Sequence, residues 1–199
     1  MRMRVNEIFY SLQGEGYFTG RPAVFIRLSG CNLKCPFCDT DFSEYKDMTE
    51  EEIVDDVCKL SIDCHFVVIT GGEPTLQDCT YLIDLLHRNK YSVAMESNGT
   101  RKPPFNVDWL TVSPKNLFVG DVARLAVKSC NELKVVFDGC FDPNVISLAN
   151  IRASHYYLQP CDTGDAEKNK EIIDNCVKFI KENPLWKLSL QTQKILNVR

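Results

Sequence analysis

The sequence has neither a long hydrophobic run nor an excess of basic residues. No apolar stretch near the amino terminus has the pattern of a secretory signal, and no run approaches the length of a membrane span. The 23 Lys and Arg residues are outnumbered by 27 Asp and Glu residues, and the net charge of −4 argues against a broad nucleic-acid-binding surface. These absences predict a cytoplasmic protein that binds neither a membrane nor nucleic acid.

Histidine is scarce, so thiols are the main candidates for metal binding. The three histidines, His65, His87 and His155, do not recur at metal-ligand spacing, and we predict packing or surface roles for them. Ten cysteines without a secretory signal predict free thiols in a reducing compartment. Seven of them are expected to be buried small hydrophobes, namely Cys58, Cys64, Cys79, Cys130, Cys140, Cys161 and Cys176.

The other three cysteines, Cys31, Cys35 and Cys38, are spaced C-x3-C-x2-C in the cysteine segment, residues 29–40. Thiolates are soft ligands that suit iron–sulfur clusters, zinc or copper(I). A structural zinc site and an ordinary four-iron cluster each use four protein ligands, and no fourth cysteine or histidine lies at close spacing. Three ligands on a four-iron cluster leave one iron for an external molecule. The alternatives are a zinc knuckle completed from elsewhere and a set of reactive thiols.

Hydrophobic patterning predicts alternating strands and helices in a single domain that spans residues 1–199. The predicted strands are residues 5–10, 23–28, 65–70, 91–96, 108–112, 132–137, 156–159 and 186–190. One helix follows a capping box at Thr49 and Glu52 and buries Ile53, Val57 and Leu60, and another buries Leu82, Leu85 and Leu86. A third is expected near 143–151, and the last carries Ile173, Cys176, Val177 and Ile180 on one face.

Polar or glycine-rich residues follow several of these strands. They are the cysteine segment, Gly71-Gly72-Glu73, Ser97-Asn98, Ser113-Pro114-Lys115 and Gln159-Pro160. The carboxyl ends of parallel strands meet at one edge of a sheet, where α/β folds bind ligands. We therefore predict an incomplete α/β barrel of about six mostly parallel strands, with its edges covered by a partner subunit.

Three further features each admit two interpretations. The glycines of Gly71-Gly72-Glu73-Pro74 allow close backbone approach, or they simply form a strand-to-helix turn. Arg27 lies in an apolar strand and needs an anionic partner, which is either an internal carboxylate or the carboxylate of a substrate. Thr40, beside Asp39, is either a cap or turn residue or a magnesium ligand.

Phe37 before the last cysteine completes the pattern C-x3-C-x-aromatic-C, which resembles the signature of the radical S-adenosylmethionine (SAM) superfamily. Gly71-Gly72-Glu73-Pro74 resembles the GGEP segment of the same superfamily. The resemblance implies that Cys31, Cys35 and Cys38 ligate a [4Fe-4S] cluster whose open iron binds SAM. An electron from the reduced cluster, supplied by a donor such as flavodoxin or ferredoxin, would cleave SAM to a 5′-deoxyadenosyl radical.

Further segments resemble the 7-carboxy-7-deazaguanine synthase family, from about residue 5 to the end of the chain. These segments are residues 9–16, 20–23, 25–27, 30–33, 38–40 and 189–192. The family consists of lyases that convert 6-carboxy-5,6,7,8-tetrahydropterin to 7-carboxy-7-deazaguanine with release of ammonia, in queuosine and 7-deazapurine biosynthesis. The resemblance implies that the adenosyl radical abstracts the C6 hydrogen of the substrate, and that the enzyme is a homodimer.

Residue roles follow from the same resemblance, position by position. The expected SAM contacts are Phe37, Cys38, Asp39, Gly72, Ser113, Pro114, Lys115 and Gln159. The expected substrate contacts are Leu12, Gln13, Gly14, Glu15, Arg27 and Thr70. Thr40 is expected to bind a Mg²⁺ ion that bridges to the substrate.

The sequence departs from the family in its carboxyl-terminal segment, residues 191–199, which we call the tail. Gln193 stands where the Gln-Thr-His-Lys pattern has histidine, and Arg199 stands where some members end in proline. Two rival functions are an activase of glycyl-radical enzymes, which would act on a polypeptide, and a noncatalytic iron–sulfur or zinc-binding module. Residues 12–16 and Arg27 favour the synthase over the activase, and Gly71-Gly72-Glu73-Pro74 counts against the binding module.

Overall fold

The computed structural model describes residues 2–60, 63–144 and 151–198. The strands are β1 (Arg2–Leu12), β2 (Pro22–Leu28), β3 (Lys46–Thr49), β4 (Phe66–Gly71), β5 (Ser92–Ser97), β6 (Trp109–Val112), β7 (Ser129–Phe137), β8 (Arg152–Pro160) and β9 (Trp186–Leu188). The helices are α1 (Glu50–Leu60), α2 (Thr80–Arg88), α3 (Asn116–Val119), α4 (Ala166–Glu182) and α5 (Thr192–Leu196). Short 3-10 turns lie at Gly16–Phe18, Pro74–Leu76 and Gly120–Ala123.

The strands form one open sheet in the order β3-β1-β2-β4-β5-β6-β7-β8-β9. β2 and β4 to β9 run parallel to one another, whereas β1 pairs antiparallel with both β2 and β3. The prediction of a mostly parallel, incomplete α/β barrel is confirmed, but the expected number of about six strands is wrong. The short, polar β3 has no apolar pattern, and it forms because β1 begins at Arg2 and offers an edge to it.

The two faces of the sheet differ in the polarity of their side chains near the carboxyl ends of the strands. The face under the helices is apolar throughout and includes Ile26, Ile69, Met95, Leu133 and Leu158. The opposite face, which we call the inner face, begins with a smaller apolar cluster of Phe9, Ala23, Phe25, Phe66, Val68 and Ala94. Because side chains alternate along a strand, Arg27, Thr70 and Glu96 follow on the inner face. The inner face therefore turns polar where a ligand would enter.

Helix α1 begins with the predicted reciprocal cap. The backbone N–H of Thr49 donates to the Glu52 carboxylate at 2.7 Å, and the N–H of Glu52 donates to the Thr49 hydroxyl oxygen at 3.2 Å. Ile53 and Val57 are fully buried as predicted, but Leu60 is 41% exposed, since the helix ends there.

Helix α4 buries the predicted face in part. Cys176 is buried and Ile180 packs against the core as predicted, but Ile172 is buried in place of Ile173, which is 39% exposed. Both isoleucines fit a helical period, and only packing of α4 against β8 and β9 selects between them. Most of the helix predicted near 143–151 falls on residues 145–150, outside the described residues.

The remaining cysteines follow the burial prediction only in part. Cys64, Cys79, Cys161 and Cys176 are buried and Cys130 is half-buried, but Cys58 and Cys140 are exposed. Within residues 2–60, 63–144 and 151–198, no helix combines the length and the apolar character needed to cross a bilayer.

We expect Thr49→Ala to lower the free energy of unfolding by about 1 kcal/mol, because the N–H of Glu52 loses its acceptor at the start of α1. Thr49→Ser keeps the hydroxyl and is the matched control. Urea denaturation followed by circular dichroism measures the difference. Equal midpoints for the two variants would show that the cap contributes nothing.

Candidate active site

A cavity of about 520 Å³ opens at the carboxyl ends of the parallel strands. Its lining includes nearly every candidate site residue, namely Leu12, Gln13, Gly14, Glu15, Arg27, Cys31, Cys35, Phe37, Cys38, Asp39, Thr40, Thr70, Gly72, Ser113, Lys115 and Gln159. Pro114 is the exception, since it is buried and does not line the cavity. The predicted edge of the sheet is therefore the edge that carries the cavity.

The cysteine segment connects β2 to β3 and presents three free thiols to this cavity. In the described part of the chain, no three Cys, His, Asp or Glu side chains converge on a point that one metal ion could occupy. A single zinc ion needs such convergence, whereas a four-iron cluster binds each thiolate to a different iron. The donor set therefore fits a cluster better than a zinc knuckle.

Burial favours the neutral thiol form of two cysteines in the cysteine segment. Burial raises the pKa of Cys31 and of Cys35, and at Cys35 the positive charge of Lys115 opposes this shift. Because thiolates are the metal-binding form, cluster assembly on these residues releases protons.

Two adjacent glycines allow the turn after β4 to pack directly on the cysteine segment. Gly71 has φ +139°, in the region that favours glycine, and a Cβ on Gly72 would lie 2.1 Å from the carbonyl oxygen of Gly30 and 2.9 Å from Cβ of Cys31. The N–H of Gly72 donates to the Leu28 carbonyl at 3.1 Å. The predicted close backbone approach is confirmed, and it fixes where Cys31 lies.

Glu73 ties this turn to the end of β5. It is 1% exposed, and its carboxylate accepts hydrogen bonds from the Thr75 hydroxyl at 2.6 Å, the Ser97 hydroxyl at 2.8 Å and the Asn98 N–H at 2.7 Å. The side-chain amide of Asn98 then donates to Oδ1 of Asn32 in the cysteine segment at 3.1 Å. Sequence reasoning did not assign this network, because its members are far apart along the chain.

Strand register places five polar residues in one row across the inner face. Arg27 pairs with Thr70, and the pairing of Ile69 with Met95 places Thr70 level with Glu96. Glu96 pairs with Thr111, which pairs with Glu132. Burial raises the pKa of Glu132.

Arg27 has an internal partner. Its Nε donates to Oε1 of Glu7 on the neighbouring strand at 2.8 Å, so the ion pair that was one of the two interpretations is present. The terminal guanidinium nitrogens have no acceptor among the residues that the structure describes, and the residue lines the cavity. Arg27 can therefore keep Glu7 and still bind a second carboxylate.

Glu15 is the most heavily engaged of the candidate residues. Its Oε1 accepts from the side-chain amides of Gln191 at 3.0 Å and Gln193 at 3.1 Å, and its Oε2 accepts from Nζ of Lys134. Burial alone would raise the pKa of Glu15, but the charge of Lys134 and these hydrogen bonds hold the pKa at about 2. Glu15 is therefore a carboxylate.

Lys134 and Glu96 also line the cavity, and sequence reasoning missed both as candidate site residues. Lys134 is 4% exposed, and its Nζ lies 3.7 Å from Oε1 of Glu96 as well as in contact with Glu15. A charged residue inside an apolar strand was the signal that singled out Arg27, and Lys134 carries the same signal within β7. Burial would lower the pKa of Lys134, but the surrounding carboxylates raise it.

The tail closes over the loop of residues 12–16. The hydroxyl of Thr192 donates to the carbonyl oxygen of Gly14 at 2.8 Å, and a Cβ on Gly14 would lie 1.8 Å from Oε1 of Gln193. Nζ of Lys194 lies 3.0 Å from Oδ2 of Asp39 and 2.9 Å from Oδ2 of Asp162. The unexpected Gln193 thus holds Glu15 through a hydrogen bond, and Lys194 joins the tail to the cysteine segment.

Lys115 and Phe37 lie together on the other side of the thiols. Nζ of Lys115 is 5.8 Å from the ring centroid of Phe37 and donates to the hydroxyl of Ser113. Burial, together with repulsion from Lys134, lowers the pKa of Lys115 to about 8. Phe37 packs edge-on against Phe118 of α3, with ring centroids 4.5 Å apart.

Known proteins share these features. A family model described as the Radical SAM superfamily matches residues 25–116. A 7-carboxy-7-deazaguanine synthase from Bacteroides thetaiotaomicron is 45% identical over 199 residues, which cover all of both chains. A 7-carboxy-7-deazaguanine synthase from Haemophilus influenzae is 36% identical, and the match covers 96% of this chain and 92% of the relative. The crystal structure of QueE from Escherichia coli has a TM-score of 0.74 and 29% identity, covering 96% of this chain and 94% of that one.

The thiol-bearing segment, the Gly-Gly turn and the parallel sheet are those of a radical SAM enzyme, which uses a [4Fe-4S] cluster and SAM. Within that class, the chain belongs to the 7-carboxy-7-deazaguanine synthase family. The predicted family and cofactors are confirmed, and the activase and the noncatalytic module are excluded.

Gly72→Ala is expected to prevent cluster assembly, because the new Cβ would collide with the Gly30 carbonyl and displace Cys31. The absorbance of the anaerobically reconstituted cluster measures the effect. Gly164→Ala is the control, because a Cβ on Gly164 would meet open space; its φ of +76° should cost only about 1 kcal/mol of stability. A normal cluster in Gly72→Ala would contradict the packing argument.

Proposed function

We propose that this chain, as one radical SAM domain of residues 1–199, converts 6-carboxy-5,6,7,8-tetrahydropterin to 7-carboxy-7-deazaguanine with release of ammonia, for queuosine and 7-deazapurine biosynthesis. The observation that carries the proposal is that one cavity is lined by three thiols, a carboxylate at Glu15 and a guanidinium at Arg27. Those charges complement the two ends of a carboxypterin, which are a guanidine-like edge and a carboxylate.

The cofactor side of the proposal rests on the thiol end of the cavity. Cys31, Cys35 and Cys38 ligate the cluster. The SAM contacts are Phe37, Cys38, Asp39, Gly72, Ser113, Lys115 and Gln159, with Pro114 shaping the turn between Ser113 and Lys115. A cluster held there would supply the electron for reductive cleavage of SAM, the source of the 5′-deoxyadenosyl radical that would take the C6 hydrogen of the substrate. The cation at Lys115, beside Phe37, suits an anionic or π-rich part of the nucleotide.

The substrate side rests on Glu15 and Arg27, which line the same cavity. Glu15 accepts a hydrogen bond from the guanidine-like edge of the pterin, and Arg27 binds its carboxylate through the terminal nitrogens. Leu12, Gln13, Gly14 and Thr70 complete the pocket. Gln13 supports the loop, since its amide donates to Glu96 at 2.9 Å and its Oε1 accepts the N–H of Glu15 at 3.2 Å.

We propose that Thr40 would help to hold a Mg²⁺ ion that acts on the substrate carboxylate. Thr40 lines the cavity, and its hydroxyl lies 3.5 Å from Oδ1 of Asp39, so hard oxygen donors are available there. The ion would add positive charge near the substrate carboxylate. It would also help to orient the carbon atom that carries this carboxylate.

The partners of the enzyme also form part of the proposal. We expect a flavodoxin or ferredoxin to reduce the cluster, a homodimer, and a cytoplasmic location. Free thiols on the described cysteines suit a reducing compartment. Exposed apolar residues in and beside the edge strand β9, including Leu185 and Leu188, suit contact with a second subunit.

Anaerobic reconstitution followed by incubation with SAM, reductant and the carboxypterin tests the function. We expect 7-carboxy-7-deazaguanine and ammonia, with SAM recovered rather than consumed. Cys35→Ala should lose both turnover and cluster absorbance, whereas Cys140→Ala, at an exposed thiol outside the cavity, should keep both. Cleavage of SAM without conversion of the pterin would refute the substrate assignment.

Arg27→Ala should raise the Michaelis constant for the carboxypterin by roughly thirtyfold, because it leaves the substrate carboxylate unpaired beside a half-buried position. Arg27→Lys keeps the charge but loses the planar fork, so an intermediate value is expected. Steady-state kinetics measures both, and the affinity for SAM is the internal control. An unchanged Michaelis constant in Arg27→Ala would mean that Arg27 forms only the internal ion pair with Glu7 and does not bind the substrate.

A further inference from the structure

Lys134 is a buried cation that packing does not explain. It lies on β7 between Leu133 and Val135, which face the helices, and its own side chain lies on the inner face. Its Nζ contacts Oε2 of Glu15 and lies 3.7 Å from Oε1 of Glu96, and the residue is 4% exposed. An apolar residue would fill this volume without the desolvation cost of an ammonium group.

The surroundings of Lys134 are predominantly acidic. Glu15, Glu96 and Glu132 all raise its pKa, and another lysine of the cavity, Lys115, is itself repelled by Lys134. Of these carboxylates, Glu15 is the one in direct contact with Nζ. Lys134, Glu15 and Glu96 all line the cavity, so the contact between Lys134 and Glu15 lies at the wall of the candidate substrate pocket.

We propose that Lys134 is a positioning residue, which holds Glu15 ionised and oriented and so makes the pocket selective for a ligand edge composed of N–H donors. The inference rests on the proposed function, since Glu15 is the residue assigned to that edge of the substrate. Lys134 itself is not required to touch the ligand.

The charge state of Glu15 decides which ligand edge the pocket accepts. A carboxylate only accepts hydrogen bonds, whereas a protonated carboxyl presents an O–H donor that would oppose the N–H groups of a guanidine-like edge. Burial favours the protonated form of Glu15, and the charge of Lys134 is the main opposing cause.

The same contact sets the orientation of Glu15. Three protein donors, from Lys134, Gln191 and Gln193, use three of about four acceptor positions on the carboxylate. Lys134 binds Oε2, while both glutamines of the tail bind Oε1. The side chain is therefore held from the sheet on one side and from the tail on the other.

Lys134→Met removes the charge and keeps an unbranched side chain, so it tests the inference with little change in volume. Carbon-13 NMR of the glutamate carboxyls in metal-free protein measures ionisation directly, with Glu15→Gln assigning the signal. We expect Glu15 to remain ionised between about pH 5 and 9 in the parent protein and to titrate within that range in Lys134→Met. A Glu15 signal that does not titrate in Lys134→Met would overturn the inference, whatever the substrate proves to be.

Steady-state kinetics provides a second test of the role of Lys134. In Lys134→Met, the Michaelis constant for the carboxypterin should rise by roughly thirtyfold at the acidic end and fall back as the pH rises, because Glu15 regains its charge. Cluster absorbance and SAM affinity should stay normal. A uniform, pH-independent loss would indicate a purely structural role and would contradict the inference.

The double variant Glu15→Gln/Lys134→Met is a control for misfolding. It removes both charges of the buried pair, so neither charge is left buried without its partner. If Lys134 acts through Glu15, the double variant should bind the carboxypterin no more weakly than Glu15→Gln alone. Additive losses would refute this dependence. Failure of the parent protein to convert the carboxypterin would instead refute the proposed function, and the NMR result would still decide the role of Lys134.

Discussion

The common direction of seven neighbouring strands determines where chemistry can occur in this protein. Because β2 and β4 to β9 run parallel, their carboxyl ends meet at one edge of the sheet. The cysteine segment, the Gly-Gly turn, Ser113 and Gln159 each follow a different strand and still line the same cavity. No local interaction could bring together residues separated by more than a hundred positions, so the site exists only when the sheet is complete.

Pairing with carboxylates lowers the free-energy cost of placing cations on the inner face of the sheet. Arg27 is paired with Glu7, and Lys134 lies between Glu15 and Glu96, so the buried cations have carboxylate partners. Such pairs add little net stability in comparison with apolar packing, because their desolvation is costly. Their value lies in holding defined charges at the wall of the cavity, where they can recognise a polar ligand.

The amphipathic pattern of the sequence predicted most of the fold, and the exceptions have physical causes. The strands buried on both faces and the capping box at Thr49 carry local signals, and they were found. β3 carries no apolar pattern and depends on the free edge of β1. On the buried face of α4, Cys176 was assigned correctly and Ile173 was not, since Ile172 and Ile173 satisfy the helical period equally and only the neighbouring strands favour Ile172.

The sequence by itself determined the thiol spacing, the paired glycines and the lone arginine in an apolar strand, because each is a short-range pattern whose chemistry requires those residue types. Only the tertiary structure decided that Lys134 meets Glu15, more than a hundred residues away, and that Gln193 meets it from the tail. The reason is that the partner of a buried charge is set by strand register and chain closure, and neither is encoded within any local stretch of the chain.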